Sequence, residues 1–125
     1  MKILVVDDEL DVRSLFEQRF RKEMKSGEMD FAFAHSGEDA LNFMQVHHHE
    51  AVLILSDINM PGMSGLELLK RIKKEYEKPP PVVMMITAYG DEENYTTAKQ
   101  YGADDFLTKP VDFTILKDKL KTKMV

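Results

Sequence analysis

Three short apolar runs constrain this chain more than anything else in it: Ile3-Leu4-Val5-Val6, Ala51-Val52-Leu53-Ile54-Leu55 and Val82-Val83-Met84-Met85-Ile86. None of them alternates with polar residues, so each must be buried on both faces. A strand covered on both sides belongs in a parallel sheet packed between helices. The stretches between the runs read as those helices. Val12, Leu15, Phe16 and Phe20 recur at helical spacing behind Glu9 and Asp11, and Ser26-Gly27 stops the helix. Ser36 is placed to cap a second helix, with Asp39 three residues on and Ala40, Leu41 and Met44 as its apolar face. Ser64 is placed to cap a third, with Glu67 three residues later and a stripe of Leu66, Leu69, Ile72 and Tyr76.

The prolines Pro79-Pro80-Pro81 then forbid helix before the run at Val82. Asp91 to Gln100 reads as a fourth helix with a thin face, Tyr95, Ala98 and Tyr101, ended by Gly102. Phe113, Leu116, Leu120 and Met124 stripe a last helix, which carries Lys117, Lys119, Lys121 and Lys123 in its C-terminal half. Met29 to Ala34 and Asp104 to Thr108 fill the remaining gaps as less regular strands, and Val52 to Ser56 is the third strand. The expectation is an α/β chain, a (βα)5 doubly wound sandwich with five parallel strands and five flanking helices. It reads as a single domain over residues 1–125.

Composition narrows the function. A net charge of −5 argues against nucleic acid or an acidic membrane as a direct partner of the domain. The absence of cysteine excludes disulfides and thiolate zinc sites, and fits a reducing cytoplasm. No stretch reads as a membrane span or a signal peptide.

Ligands in such folds bind outside the carboxyl ends of the strands. Asp7 and Asp8 follow the first run, Asp57 follows the third strand, Thr87 ends the fourth and Lys109 follows the fifth. Three carboxylates on one rim repel unless a cation joins them, and a hard divalent cation such as Mg2+ prefers oxygen ligands. Asp57 stands between a buried strand and the turn Ile58-Asn59-Met60-Pro61-Gly62, so its backbone is fixed. A carboxylate held in this way can attack a phosphoryl group. Lys109 is the candidate counter-charge and the Thr87 hydroxyl a candidate donor to a phosphoryl oxygen. Each residue has a plainer reading on its own. Asp7-Asp8 is also a common helix-start pair, Thr87 a good strand former, and Lys109 a solvated cation.

Together, Asp7-Asp8, the stretch Asp57-Ile58-Asn59-Met60-Pro61-Gly62-Met63-Ser64-Gly65, Thr87-Ala88 and Lys109-Pro110 resemble the receiver domain of two-component response regulators, across the whole chain. The resemblance implies strand order 2-1-3-4-5, the flavodoxin-like order among doubly wound folds. It implies Asp57 as phosphoacceptor, charged by a sensor histidine kinase or a histidine phosphotransfer protein. It implies Mg2+ (or Mn2+) held by Asp8 and Asp57, by Asp7 through water, and by the backbone carbonyl of Asn59. Thr87, Ala88 and Lys109 would bind the phosphoryl oxygens, beside Asn59, and Lys109-Pro110 would be a cis peptide. Thr87 and Phe106 would carry the switch to the face of the fourth helix, fifth strand and last helix, where a downstream partner, an output domain or a second copy docks. Phe106 stands where many members carry Tyr, and it lacks the hydroxyl. Tyr89, two after Thr87, is expected to hinder water or else to shape the partner surface.

Other readings are weaker. An aspartate-dependent phosphatase would need a second acid two residues after its nucleophile, and that position is Asn59. A flavin or nucleotide domain would need a glycine-rich loop after the first strand, where Asp7-Asp8-Glu9 stands. A degenerate receiver that only docks would not need the complete set. His47-His48-His49 is read as a solvated helix end, since consecutive helical residues diverge. The lysines of the last helix are read as a solvated face, not a nucleic-acid patch.

Overall fold

The apolar runs become the strands of one parallel sheet. A computed structural model describes residues 2–47, 50, 53–76, 81–88 and 90–123. In chain order its elements are β1 (Lys2–Val6), α1 (Val12–Arg19), α2 (Arg21–Ser26), β2 (Asp30–Ala34), α3 (Gly37–His47), β3 (Leu53–Asp57), α4 (Gly65–Glu75), β4 (Val82–Thr87), α5 (Glu92–Gln100), β5 (Asp105–Thr108) and α6 (Phe113–Lys123). The strands pair in the order β2-β1-β3-β4-β5, every pair parallel.

Alternation along each strand divides the core in two. Leu4, Val6, Ile54, Val83 and Met85 face a layer built from α3, α4 and α5, through Ala40, Met44, Leu68, Leu69, Ile72 and Ala98. Ile3, Val5, Leu53, Leu55, Met84, Ile86 and Leu107 face the other layer, through Phe16, Phe20, Leu116 and Leu120. Helices therefore cover both faces, as strands apolar on both sides require.

Among the described residues six helices stand where five were expected. The first is interrupted at Phe20, whose φ of −110° and ψ of 22° leave the helical region. The hydrogen bonds Phe20 N–H to Phe16 O and Met24 N–H to Phe20 O run on across the bend. The bend accompanies full burial of the Phe20 ring, so packing overrides a periodicity that continues unbroken in sequence. The helix expected as the fourth is thus α5, and the last is α6. Smaller shifts also occur. Asp57 is the last residue of β3 rather than the first after it, and Leu68 rather than Leu66 is the buried leucine of α4 beside Leu69. Val52, expected to open the third strand, lies outside the described residues, as do Pro79, Pro80 and Met124.

Caps behave as the sequence requires. Ser36 Oγ accepts from the Asp39 N–H at 3.0 Å, and Ser64 Oγ from the Glu67 N–H at 3.2 Å. Asp91 accepts from the Asn94 N–H and so starts α5. The lysines of α6 are less solvated than expected: Lys119 pairs with Asp105 of β5 at 2.9 Å and Lys117 with Glu23 of α2 at 3.5 Å. His47 stacks on Phe43 at 4.3 Å between ring centroids and lies 3.1 Å from Glu50, while His48 and His49 lie outside the described residues.

Candidate functional site: a carboxylate cluster at the sheet rim

Strand register assembles the site. Val6 lies opposite Ser56, so Asp7 follows its strand beside Asp57. Asp57 lies opposite Ile86, one residue before Thr87. Thr87 lies opposite Thr108, one residue before Lys109. Neighbouring strands thus deliver the acids and the cation to one rim, where a parallel sheet of this kind opens to ligands.

Carboxylate oxygens of Asp7, Asp8 and Asp57 lie within 4.8 Å of one another. Asp57 is 2% exposed and Asp7 8%, whereas Asp8 is open to solvent. Asp57 is held from two sides. Its Oδ2 accepts from Lys109 Nζ at 2.6 Å, and its Oδ1 accepts from the Asn59 N–H at 3.2 Å. Asp7 Oδ1 accepts from the Glu9 N–H at 3.0 Å. The Asp8 side chain makes no hydrogen bond among the described residues.

The electrostatics follow from this crowding. Burial pushes the Asp7 carboxyl above its ordinary value, the Glu9 N–H offsets part of that, and repulsion from Asp57 adds to the rise. Burial pulls the Lys109 ammonium down, but its hydrogen bond to Asp57 and the attraction of Asp57, Asp7 and Glu9 outweigh it, so the net shift is upward. Lys109 therefore stays charged at neutral pH.

Three hard oxygen donors, one of them open to water, suit a divalent cation that keeps part of its hydration shell. The charge state agrees: clustered acids that repel one another gain from a cation between them. Asp8, Asp57 and Asp7 are the side chains that could hold Mg2+ here.

Other expected residues are less engaged. The Thr87 hydroxyl points at β5 and donates to the Leu107 carbonyl over a long 3.4 Å. Ala88 is exposed just beyond β4, and its carbonyl accepts from the Asp91 N–H. Thr87, Ala88 and Tyr95 line a recess of about 340 Å³. Phe106 is half-buried and packs on Tyr95 at 4.3 Å between centroids. The Lys109–Pro110 peptide is cis. Tyr89 lies outside the described residues.

Two contributors escaped the sequence reading. A Cβ at Gly65 would collide with the Asp57 carbonyl, so only glycine lets α4 come this close. The Gly65 N–H donates to the Ile58 carbonyl at 2.8 Å, which closes the turn after Asp57. His35 Nδ1 lies 3.1 Å from the Asp7 carbonyl oxygen. Gly65 was visible as part of a motif but not as a close approach. His35 is 28 residues from its partner, and nothing local marks it.

Beside the cluster, a groove of about 610 Å³ runs between α1 and the β5–α6 connection. Asp7, Glu9 and Lys109 line its polar end, and Leu15, Phe16, Val111 and Phe113 its apolar flank. Among the described residues no helix is long and apolar enough to cross a membrane.

Residues 3–121 match the family model for the response regulator receiver domain. Among solved structures, the receiver domain of NtrX from Brucella abortus is 31% identical, with a TM-score of 0.80 over 96% of this chain and 95% of that one. A response regulator receiver domain protein from Clostridium thermocellum superposes with a TM-score of 0.84 at 26% identity, over 97% and 91% of the two chains. The chemotaxis protein CheY4 of Vibrio cholerae gives 0.80 at 26% identity, over 97% and 96%. The chain belongs to the response regulator receiver domain family of two-component signalling.

Proposed function

We propose that Asp57 accepts a phosphoryl group in a step that depends on Mg2+ (or Mn2+), and that this resets the face of α5, β5 and α6 for a partner. The observation that carries the reading is the pairing at the rim: three convergent carboxylates, with Lys109 Nζ 2.6 Å from the Asp57 carboxylate. Acids alone would repel a phosphate, and Lys109 alone would be an ordinary surface cation. Their conjunction fits a phosphoryl group arriving with a divalent cation.

In this reading an Asp57 carboxylate oxygen attacks phosphorus. An O–P bond forms as the bond from phosphorus to the donor nitrogen or oxygen breaks, and the donor leaves with the electron pair. Asp8 and Asp57 would hold the cation directly, Asp7 through water and Asn59 through its backbone carbonyl. When bound, the cation offsets the charge on the phosphoryl oxygens. Lys109 shifts from the Asp57 carboxylate to those oxygens, and the Thr87 hydroxyl exchanges its long bond to Leu107 for one of them. The Ala88 N–H is a further donor.

No acid stands two residues after Asp57, where Asn59 is, so the site lacks the general acid/base that a phosphatase uses for its leaving group. The chain thus acts as a phosphoacceptor, not as a phosphatase turning over small molecules. Phosphorylation adds roughly two negative charges at the rim. Withdrawal of Thr87 opens room beside β5, next to the half-buried Phe106, which carries the change outward.

A sensor histidine kinase or a histidine phosphotransfer protein is the expected donor, and the apolar groove beside Lys109 suits a docked helix. The α5–β5–α6 face is left for a downstream protein, an output domain or a second copy of the chain. A net charge of −5 speaks against direct nucleic-acid binding. We read residues 1–125 as a single receiver domain working in the cytoplasm.

Mass spectrometry after incubation with acetyl phosphate and Mg2+ tests the reading. A gain of one phosphoryl group is expected in the wild type, absent in Asp57→Asn and absent with EDTA. Equal labelling of Asp57→Asn would overturn it.

A further inference from the structure

Among the three acids of the cluster, Asp8 is held differently. Asp57 is fixed by Lys109 and the Asn59 N–H, and Asp7 by the Glu9 N–H. Asp8 is exposed and makes no side-chain hydrogen bond among the described residues, so its carboxylate goes where its backbone sends it. That backbone hangs from the peptide joining Asp7 to Asp8. The Asp7 N–H is tied to the Ala34 carbonyl of β2 at 3.0 Å, and the Asp7 carbonyl lies 3.1 Å from His35 Nδ1. Both ends of residue 7 are thus gripped by two consecutive residues, Ala34 and His35.

We infer that His35 is a positioning residue for the cation site: its Nδ1–H, donated to the Asp7 carbonyl, fixes the Asp7–Asp8 peptide plane and so aims the Asp8 carboxylate at the cluster. A carbonyl oxygen only accepts, so Nδ1 must carry the proton. That holds for the neutral ring and for the imidazolium, and the grip does not depend on the charge of the ring. The inference rests on the metal-dependent reading above and adds to it a residue outside the cluster. Groups behind metal ligands commonly change affinity tenfold or more when removed, because a misaimed ligand must be reordered on binding. The half-buried setting of His35 protects the bond from competing water.

The test measures Mg2+ binding by calorimetry in the wild type and in His35→Ala, His35→Asn and His35→Gln. The Asp8 amide is followed by NMR in EDTA. Asn can set an amide N–H where Nδ1 was, whereas Gln carries its amide one carbon farther out. The expected result is about a tenfold loss of Mg2+ affinity in His35→Ala and His35→Gln, with recovery in His35→Asn. The Asp8 amide resonance should move in the first two and return in the third. Saturating Mg2+ should restore the phosphorylation rate of His35→Ala to the wild-type maximum. If His35→Ala does not fold, the contrast between Asn and Gln decides. Wild-type binding with equal affinity in every folded variant overturns the role of His35 and leaves the site intact. A wild type that binds no Mg2+ overturns the site and the role of His35 together.

Discussion

The two helical layers hold the same sheet by different means. Behind α1, α2 and α6 the core is aromatic. Phe16, Phe20, Phe31, Phe33 and Phe113 form a chain of ring contacts between 4.9 and 6.4 Å. Arg13, Arg19 and Lys117 lie over rings of that layer at 5.4 to 5.5 Å. Lys117 also reaches Glu23, tying α6 to α2. Behind α3, α4 and α5 the fully buried residues are aliphatic and unevenly spread, with Phe43, Tyr76, Tyr101 and Phe106 half-buried against them. Leu68, Leu69 and Ile72 anchor α4, but Ala98 is the one buried residue of α5. The rim cluster lies between a thick layer and a thin helix. Under the proposed function a charge added at Asp57 is accommodated at α5, the helix that follows Thr87 and whose one buried side chain, Ala98, is small. On that proposal, the difference makes one face the scaffold and the other the response.

The sharpest way to break that comparison is to truncate one side chain in each region. Phe16→Ala should cost about 3–5 kcal/mol in urea unfolding, since a fully packed aromatic leaves a cavity. Gly65→Ala is expected to cost about 1–3 kcal/mol and to slow phosphorylation, because a methyl group displaces the Asp57 carbonyl. That pairing would place the tight contact of the second layer at α4, not α5. Tyr95→Ala, on α5, should cost less than about 1 kcal/mol, because the residue is 42% exposed. A loss at Tyr95 as large as that at Phe16 would end the contrast.

A smaller effect comes from pH. Asp7 has a folded-state value raised above 3.8, chiefly by burial. Between 3.8 and that raised value the folded state binds more protons than the unfolded one, so metal-free stability falls as pH rises through the window. Mg2+ needs the ionised form, so its affinity should rise over the same window. Melting curves with and without Mg2+ check both signs, and parallel curves would contradict the electrostatic picture of the rim.

Much of this was legible in the chain. Strands buried on both faces leave continuous apolar runs, and β1, β3 and β4 have them. Caps at Ser36 and Ser64 are local chemistry, readable three residues at a time. The acids, Thr87 and Lys109 could be placed on one rim because parallel strands share a carboxyl edge. The break at Phe20 was not legible, since helical spacing and hydrogen bonds continue through it and only the depth of its ring accounts for the bend. The ion pairs of Lys117 and Lys119 were also missed, because their partners Glu23 and Asp105 come from other elements. Gly65 and His35 belong to the same class: each matters through a backbone group brought near by the fold.

Hydrogen exchange followed by mass spectrometry, with and without phosphorylation, measures the division of labour directly. Protein treated with acetyl phosphate and Mg2+ would be compared with the same protein in Mg2+ alone, and with Asp57→Asn under both conditions. The expected result is altered exchange across α5 and β5, little change in α1 and α2 beyond the rim, and none in Asp57→Asn. Equal change on both faces, or change confined to the aromatic side, would contradict it.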